Sequence, residues 1–136
     1  MPPERAGRGD PHRWLRRASG DLAIASQGRT LPGAFLEDLC FHAQQAAEKA
    51  IKAVLLHKRI RFRKTHSIRE LLSVCQSNAI NVPEEILVSA VLTQYAIEVR
   101  YPEDFEPVTS EEYTRAVELA QRVYLWAELI LGRPPA

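Results

Sequence analysis

Three stretches of the chain hold side chains able to grip phosphate or move protons. The first is Lys58-Arg59-Ile60-Arg61-Phe62-Arg63-Lys64-Thr65-His66, where five cations fall within seven residues and alternate with Ile60 and Phe62. Cations on a connection suit phosphate oxygens, and Phe62 offers a ring for base stacking. The competing reading anchors the loop to the core through Ile60 and Phe62. Its cations then stay solvated near the end of the preceding helix, where positive charge is favourable. The second stretch is Gln44, Glu48 and Lys52, at i, i+4 spacing, with the glutamate N-terminal to the lysine in the order that favours a surface ion pair. On periodicity these three form a solvated polar edge. The third is Arg100-Tyr101-Pro102-Glu103-Asp104-Phe105-Glu106-Pro107-Val108, an acidic, proline-bounded loop in which Arg100 has Glu98, Glu103 and Asp104 as nearby ion-pair partners.

Other chemistries lack their residues. His12, His42, His57 and His66 are scattered, with no i, i+4 pair and no Cys-x-x-Cys, so no metal site is expected. Cys40 and Cys75 sit inside apolar helical patterns and read as small buried hydrophobes kept reduced. A glycine-rich phosphate loop and a Gly-x-Ser-x-Gly elbow are both missing. No apolar run is long enough to span a bilayer, and the Arg- and Pro-rich start has no secretory signal pattern, so the expected compartment is the cytoplasm. Charge is uneven along the chain: residues 1–69 hold 14 Lys/Arg against 6 Asp/Glu, and residues 70–136 hold 4 against 11. Whether this makes an anion-binding face depends on how the fold clusters the cations.

Helices must position these groups. Residues 1–9 read as a flexible tail, residues 10–132 as one domain and residues 133–136 as a C-terminal tail. Asp10-Pro11 gives a cap followed by proline at the first helical position, and Trp14, Leu15, Ala18, Leu22 and Ala25 repeat at helical spacing up to about Ser26. A longest helix is expected from about Phe35 to His57, with an alanine-rich stripe that permits close packing. Ser67-Ile68-Arg69-Glu70 has the form of a capping box for a short third helix, with Thr65 as the alternative cap. Asn81-Val82-Pro83-Glu84 restarts the chain with a cap, and Ile86, Leu87, Ala90, Val91 and Tyr95 carry the stripe of a fourth helix. That helix is expected to end near Arg100, ahead of Pro102. Thr109-Ser110-Glu111-Glu112 opens a last helix that Gly132 and Pro134 close. The expected fold is all-α, a bundle of five helices with no convincing strand pattern.

The chain resembles the HEPN domain family (higher eukaryotes and prokaryotes nucleotide-binding) from about Arg13 to Leu131. The resemblance is carried by Trp14 through Asp21-Leu22 and by Cys40-Phe41-His42-Ala43-Gln44-Gln45-Ala46-Ala47-Glu48-Lys49-Ala50. It continues in Lys64-Thr65-His66 and in Tyr95 with Arg100-Tyr101-Pro102. It implies a five-helix up-and-down bundle of the HEPN type, usually a homodimer, in a small protein often encoded beside a minimal nucleotidyltransferase; no cofactor is implied. Many HEPN proteins are metal-independent ribonuclease toxins whose motif is an arginine followed after four to six residues by a histidine, near the end of the fourth helix. In such a site the histidine moves a proton at the ribose 2′-hydroxyl or leaving oxygen while arginine steadies charge on phosphorus.

Arg100 occupies the motif's arginine position, but Phe105, Glu106 and Pro107 stand where histidine should follow, and no histidine occurs after His66. Arg61 and Arg59 stand before His66 with four and six residues between, a match in spacing but on the wrong connection. The resemblance therefore implies a non-catalytic nucleotide- or RNA-binding and interaction module working with a nucleotidyltransferase. Arg100, Tyr101, Lys64, His66, Lys49 and Gln45 are its candidate contacts, with Gln45, Glu48 and Lys49 lining a cleft with Arg100. The alternative is a ribonuclease toxin of a toxin-antitoxin pair using an altered site around Arg100. A purely structural role, docking a nucleotidyltransferase that carries all the chemistry, is a third reading.

Overall fold

Asp10 accepts a hydrogen bond from the backbone N–H of His12 at 3.0 Å, and Pro11 begins α1, Pro11–Ala25. The cap satisfies one of the orphan N–H groups of the first turn, and the proline has none to lose. The computed structural model describes residues 9–96 and 107–134. Leu15, Ala18, Asp21 and Ala25 form the buried line of α1, with Trp14 and Leu22 packed beside it. A 3-10 turn, Gly28–Thr30, follows. Gly28 has φ 52°, and a Cβ there would lie 2.9 Å from the Tyr113 hydroxyl, which donates to the Ala25 carbonyl. Both the left-handed backbone and the space demand glycine at this position.

The long helix is α2, Leu36–His57, and α1 and α5 pack against it. Ala43, Ala46, Ala47, Ala50 and Ala53 are all fully buried, so α2 is enclosed on several sides, and residues without bulk let the neighbouring backbones approach. The expected solvated edge is not found: Gln44 is 0 % exposed, Glu48 4 % and Lys52 8 %. The outward side of α2 is instead the line of Asp38, His42, Gln45 and Lys49, so the Gln44, Glu48 and Lys52 line must be satisfied internally.

The C-terminus of α2 is closed by two bonds. The Arg59 N–H donates to the Leu56 carbonyl and the Ile60 N–H to the Leu55 carbonyl, with Arg59 at φ 58°. This is a Schellman motif with arginine where glycine is usual, and Ile60 packs on the core as its hydrophobic contact. The end of α3, Ile68–Ser77, repeats it with Ala79 at φ 62° and Ile80 bonded to Cys75. At its start Ser67 caps the Glu70 N–H, but the Glu70 carboxylate turns to Arg63, at 2.6 and 2.8 Å, so only half of the capping box forms.

The fourth helix departs from expectation. Pro83, not Asn81, is the N-cap; α4 covers only Glu84–Leu87, and the chain continues as a 3-10 helix, Val88–Tyr95. The buried residues are Ile86, Ser89, Leu92 and Tyr95, three apart, as expected for a helix of three residues per turn. Val91, expected in the core, is 49 % exposed. The remainder of the expected helix, through Arg100, lies outside the described residues.

Helix α5, Ser110–Leu131, has a full capping box: Thr109 Oγ1 accepts from the Glu112 N–H at 3.0 Å and Glu112 Oε1 from the Thr109 N–H at 3.3 Å. Tyr113, Ala116, Leu119, Ala120, Val123, Ala127 and Leu131 face the core, and Gly132 at φ 71° ends the helix. The fold is the expected all-α five-helix architecture, with no strand among the described residues. None of these helices is long and apolar enough to cross a membrane.

Candidate functional site

Two carboxylates on buried helix faces organise the polar interior. The first is Glu48 in the middle of α2. Its Oε2 accepts from Lys52 Nζ at 2.8 Å, and its Oε1 accepts from Gln44 Nε2 at 2.9 Å. His66 Nδ1, just before α3, lies 3.1 Å from Oε1 and 3.3 Å from Oε2. Burial disfavours the carboxylate, but the Lys52 hydrogen bond and charge, followed by the hydrogen bonds of Gln44 and His66, outweigh it and hold Glu48 below the usual glutamate range. A carboxylate that accepts from Nδ1 fixes the proton there, so in neutral imidazole Nε2 is the free acceptor. The His66 side chain is 66 % exposed, and its proton-accepting atom is therefore accessible at the surface of a buried network. Gln44 Oε1 is buried and has no hydrogen-bond partner among the described residues.

The second carboxylate is Asp21 of α1, 9 % exposed. Its Oδ2 accepts from Lys49 Nζ at 2.6 Å and its Oδ1 from His42 Nδ1 at 3.0 Å, so it ties α1 to two points on α2. Spacing alone did not assign these roles. A signal was nonetheless present: Asp21 stands between Ala18 and Ala25 on the apolar line of α1, where an acidic residue demands a partner.

The described candidates fall into two hydrogen-bonded groups. His66 belongs with Glu48, Gln44 and Lys52, whereas Lys49 belongs with Asp21 and His42. Gln45 is half-buried on the line between His42 and Lys49. Lys64 is exposed on the connection before α3 and Phe62 is half-buried against the core, which favours the anchoring reading of that segment over base stacking. Arg59 and Arg61 are exposed, and Arg63 is held by Glu70. Arg100 and Tyr101 lie outside the described residues. Cys40 and Cys75 are free and buried; burial pushes both thiols up to about 12, with the charges of Glu112 and Glu37 adding to Cys40, so neither is a nucleophile. Among the described residues no three His, Cys, Asp or Glu side chains are grouped to hold a metal.

The chain is an all-α bundle built around an alanine-rich helix, whose buried Glu48 reaches the histidine that precedes α3. The HEPN domain profile matches residues 11–130, and the chain belongs to the HEPN domain family. Among solved structures it is similar to TT1696 from Thermus thermophilus, at 33 % identity over 89 % of this chain and 98 % of that one, with a TM-score of 0.73. It is also similar to ST0689, described as an archaeal HEPN homologue, at 27 % identity over 91 % and 99 % of the two chains, with a TM-score of 0.72. No curated protein matches.

Proposed function

We propose that this HEPN domain is a non-catalytic nucleotide- or RNA-binding module, working as a homodimer with a minimal nucleotidyltransferase partner. One observation carries the reading. No histidine follows His66, so Arg100 has no proton-transfer partner at motif spacing, and Phe105, Glu106 and Pro107 cannot substitute at neutral pH without a carboxyl driven far above its usual range. Arg100, Tyr101 and Lys64 then serve as phosphate and base contacts.

A second reading has its own support. The ionised Glu48 orients the His66 ring and leaves Nε2 outward, an arrangement suited to general base work. If Arg100 approached that histidine, an altered ribonuclease site would result. A single-turnover RNA cleavage assay separates the two: the expected result is RNA binding without cleavage by a folded dimer. Cleavage that disappears in both Arg100→Ala and His66→Ala would establish the enzyme instead. Copurification from the native host tests the partner, and a chain recovered without any nucleotidyltransferase would remove that part of the reading.

A further inference from the structure

The first turns of α1 carry a cluster of charge that the fold does not use. Arg13, Trp14 and Arg17, with Gly9, Asp10 and Lys49 from α2, line a groove of about 330 Å³. That size is within the range of small-molecule sites. Arg13 and Arg17 stand one turn apart on the same face, a like-charge spacing that disfavours a helix. They also occupy the end of α1 where the helix field is already positive, and the first turn holds no acidic residue. Neither arginine forms an ion pair with a described residue, whereas Lys49, Lys52 and Arg63 each do.

Each remaining wall of the groove has a defined part. The Lys49 amine is fixed at 2.6 Å from Asp21, which occupies one of its three donor directions and leaves the side chain 25 % exposed. Among the described residues lining the groove Asp10 is the only carboxylate, and its Oδ1 is engaged by the N–H of His12. Trp14 is half-buried, its indole anchored on the core and open on the groove side. A Cβ on Gly9 would stand 3.4 Å from Trp14 Nε1, so the Gly9 backbone forms the wall of the groove beside that edge of the indole.

Two guanidinium forks and an ammonium beside an indole match a phosphate next to a heteroaromatic ring better than they match a carboxylate chain. Arginine pairs with phosphate in a bidentate manner, and the indole face accepts any base. We propose that this groove binds the phosphate–base unit of a nucleotide, with Arg13, Arg17 and Lys49 on the phosphate oxygens and Trp14 stacked on the base. The assignment rests on the binding reading above and adds to its candidate contacts a groove built by α1 and α2.

The test uses the full chain carrying Trp126→Phe, so that fluorescence reports Trp14 alone, titrated with ATP, inorganic tripolyphosphate, a poly-glutamate peptide and a short single-stranded RNA. ATP or RNA is expected to quench Trp14 and to bind at least about 5-fold more tightly than tripolyphosphate, the low end of one stacked base. Tighter binding of RNA than of ATP assigns the unit to a strand, and the reverse assigns it to a free nucleotide. The surface variant Arg13→Gln/Arg17→Gln, with unchanged circular dichroism, is expected to weaken both by about 10-fold or more at low salt. Trp14→Phe should keep most of the affinity, while Trp14→Leu should lower ATP to the level of tripolyphosphate. Nucleotide binding that ignores the arginine pair but is lost in Lys64→Ala or Arg100→Ala overturns this site and leaves the binding reading standing. Poly-glutamate bound as tightly as ATP overturns the nucleotide assignment. No binding of nucleotide or RNA by the folded chain overturns both.

Discussion

Glu48 shows how much one residue can hold when it is placed where water cannot reach. It accepts from Lys52, Gln44 and His66 at once, and removing it would strand Lys52 as an uncompensated charge at 8 % exposure. Glu48→Ala is therefore expected to cost about 3–5 kcal/mol in urea unfolding, whereas Glu48→Gln, which keeps the shape and some hydrogen bonds, should cost less. The pH dependence has a definite sign. A carboxylate held below its ordinary value of 4.5 contributes stability that is fully present above that pH and is lost as pH falls through the depressed value. The wild-type urea midpoint should fall across that acidic window more steeply than that of Glu48→Gln, and parallel curves would show that Glu48 is not ionised in the fold. The i, i+4 line of Gln44, Glu48 and Lys52 was legible in the sequence, and so was the ion pair within it. Its burial was not, because a polar stripe on a helix enclosed by neighbours has the same spacing as one facing water. Arg100 and Tyr101, the residues the family resemblance favoured, remain candidates on sequence grounds alone.

At the scale of elements, starts were easier to read than stops. Asp10-Pro11, Ser67 and Thr109 all cap where their side chains suggest, since a hydroxyl or carboxylate before a helix has one obvious use. The ends of α2 and α3 gave no glycine to find: both use a Schellman turn with Arg59 or Ala79 in left-handed geometry, a conformation that costs an L-residue about 1 kcal/mol or more. Arg59→Gly and Ala79→Gly should each raise the unfolding free energy by roughly 0.5–1 kcal/mol, less the extra backbone freedom that glycine gives the unfolded chain. The fourth helix differs from its expected form for another reason. Ile86 and Tyr95, nine residues apart, fall on one line at a period of three but on opposite edges of the stripe at a period of 3.6, and the difference shows at residues 88 to 92. Leu92→Ala should cost about 2–5 kcal/mol and Val91→Ala stay within about 0.5, a contrast that regular α geometry would reduce. The hydroxyl of Ser89, buried and donating to the Ile86 carbonyl, belongs to the same winding.

For the molecule as a whole, the all-α architecture and the family were both legible, because five apolar stripes with caps leave few arrangements and the Cys40–Ala50 run is distinctive. The charge asymmetry was legible as a sum and not as a place; the groove appears only when the α1 arginines meet Lys49 of α2. The outer side of α5 adds a surface expectation. Leu129 is 84 % exposed and Leu125, one turn earlier, 55 %, an apolar pair that a second copy could cover. If the proposed homodimer uses this face, light scattering of wild type should give twice the chain mass, and Leu125→Lys/Leu129→Lys should give a folded monomer. A dimer indifferent to that change would place the interface elsewhere. The 3-10 winding of Val88–Tyr95 also sets length and rotation. Eight residues rising about 2.0 Å each span roughly 4 Å more than they would as α-helix, and their far end is turned by about 160° relative to it. Position 96 is thus delivered farther along the bundle and on another side. The chain that continues toward Arg100 therefore has its starting point set by whether Leu92 or Val91 lies in the core, so a substitution there would re-aim a segment several residues away without touching it.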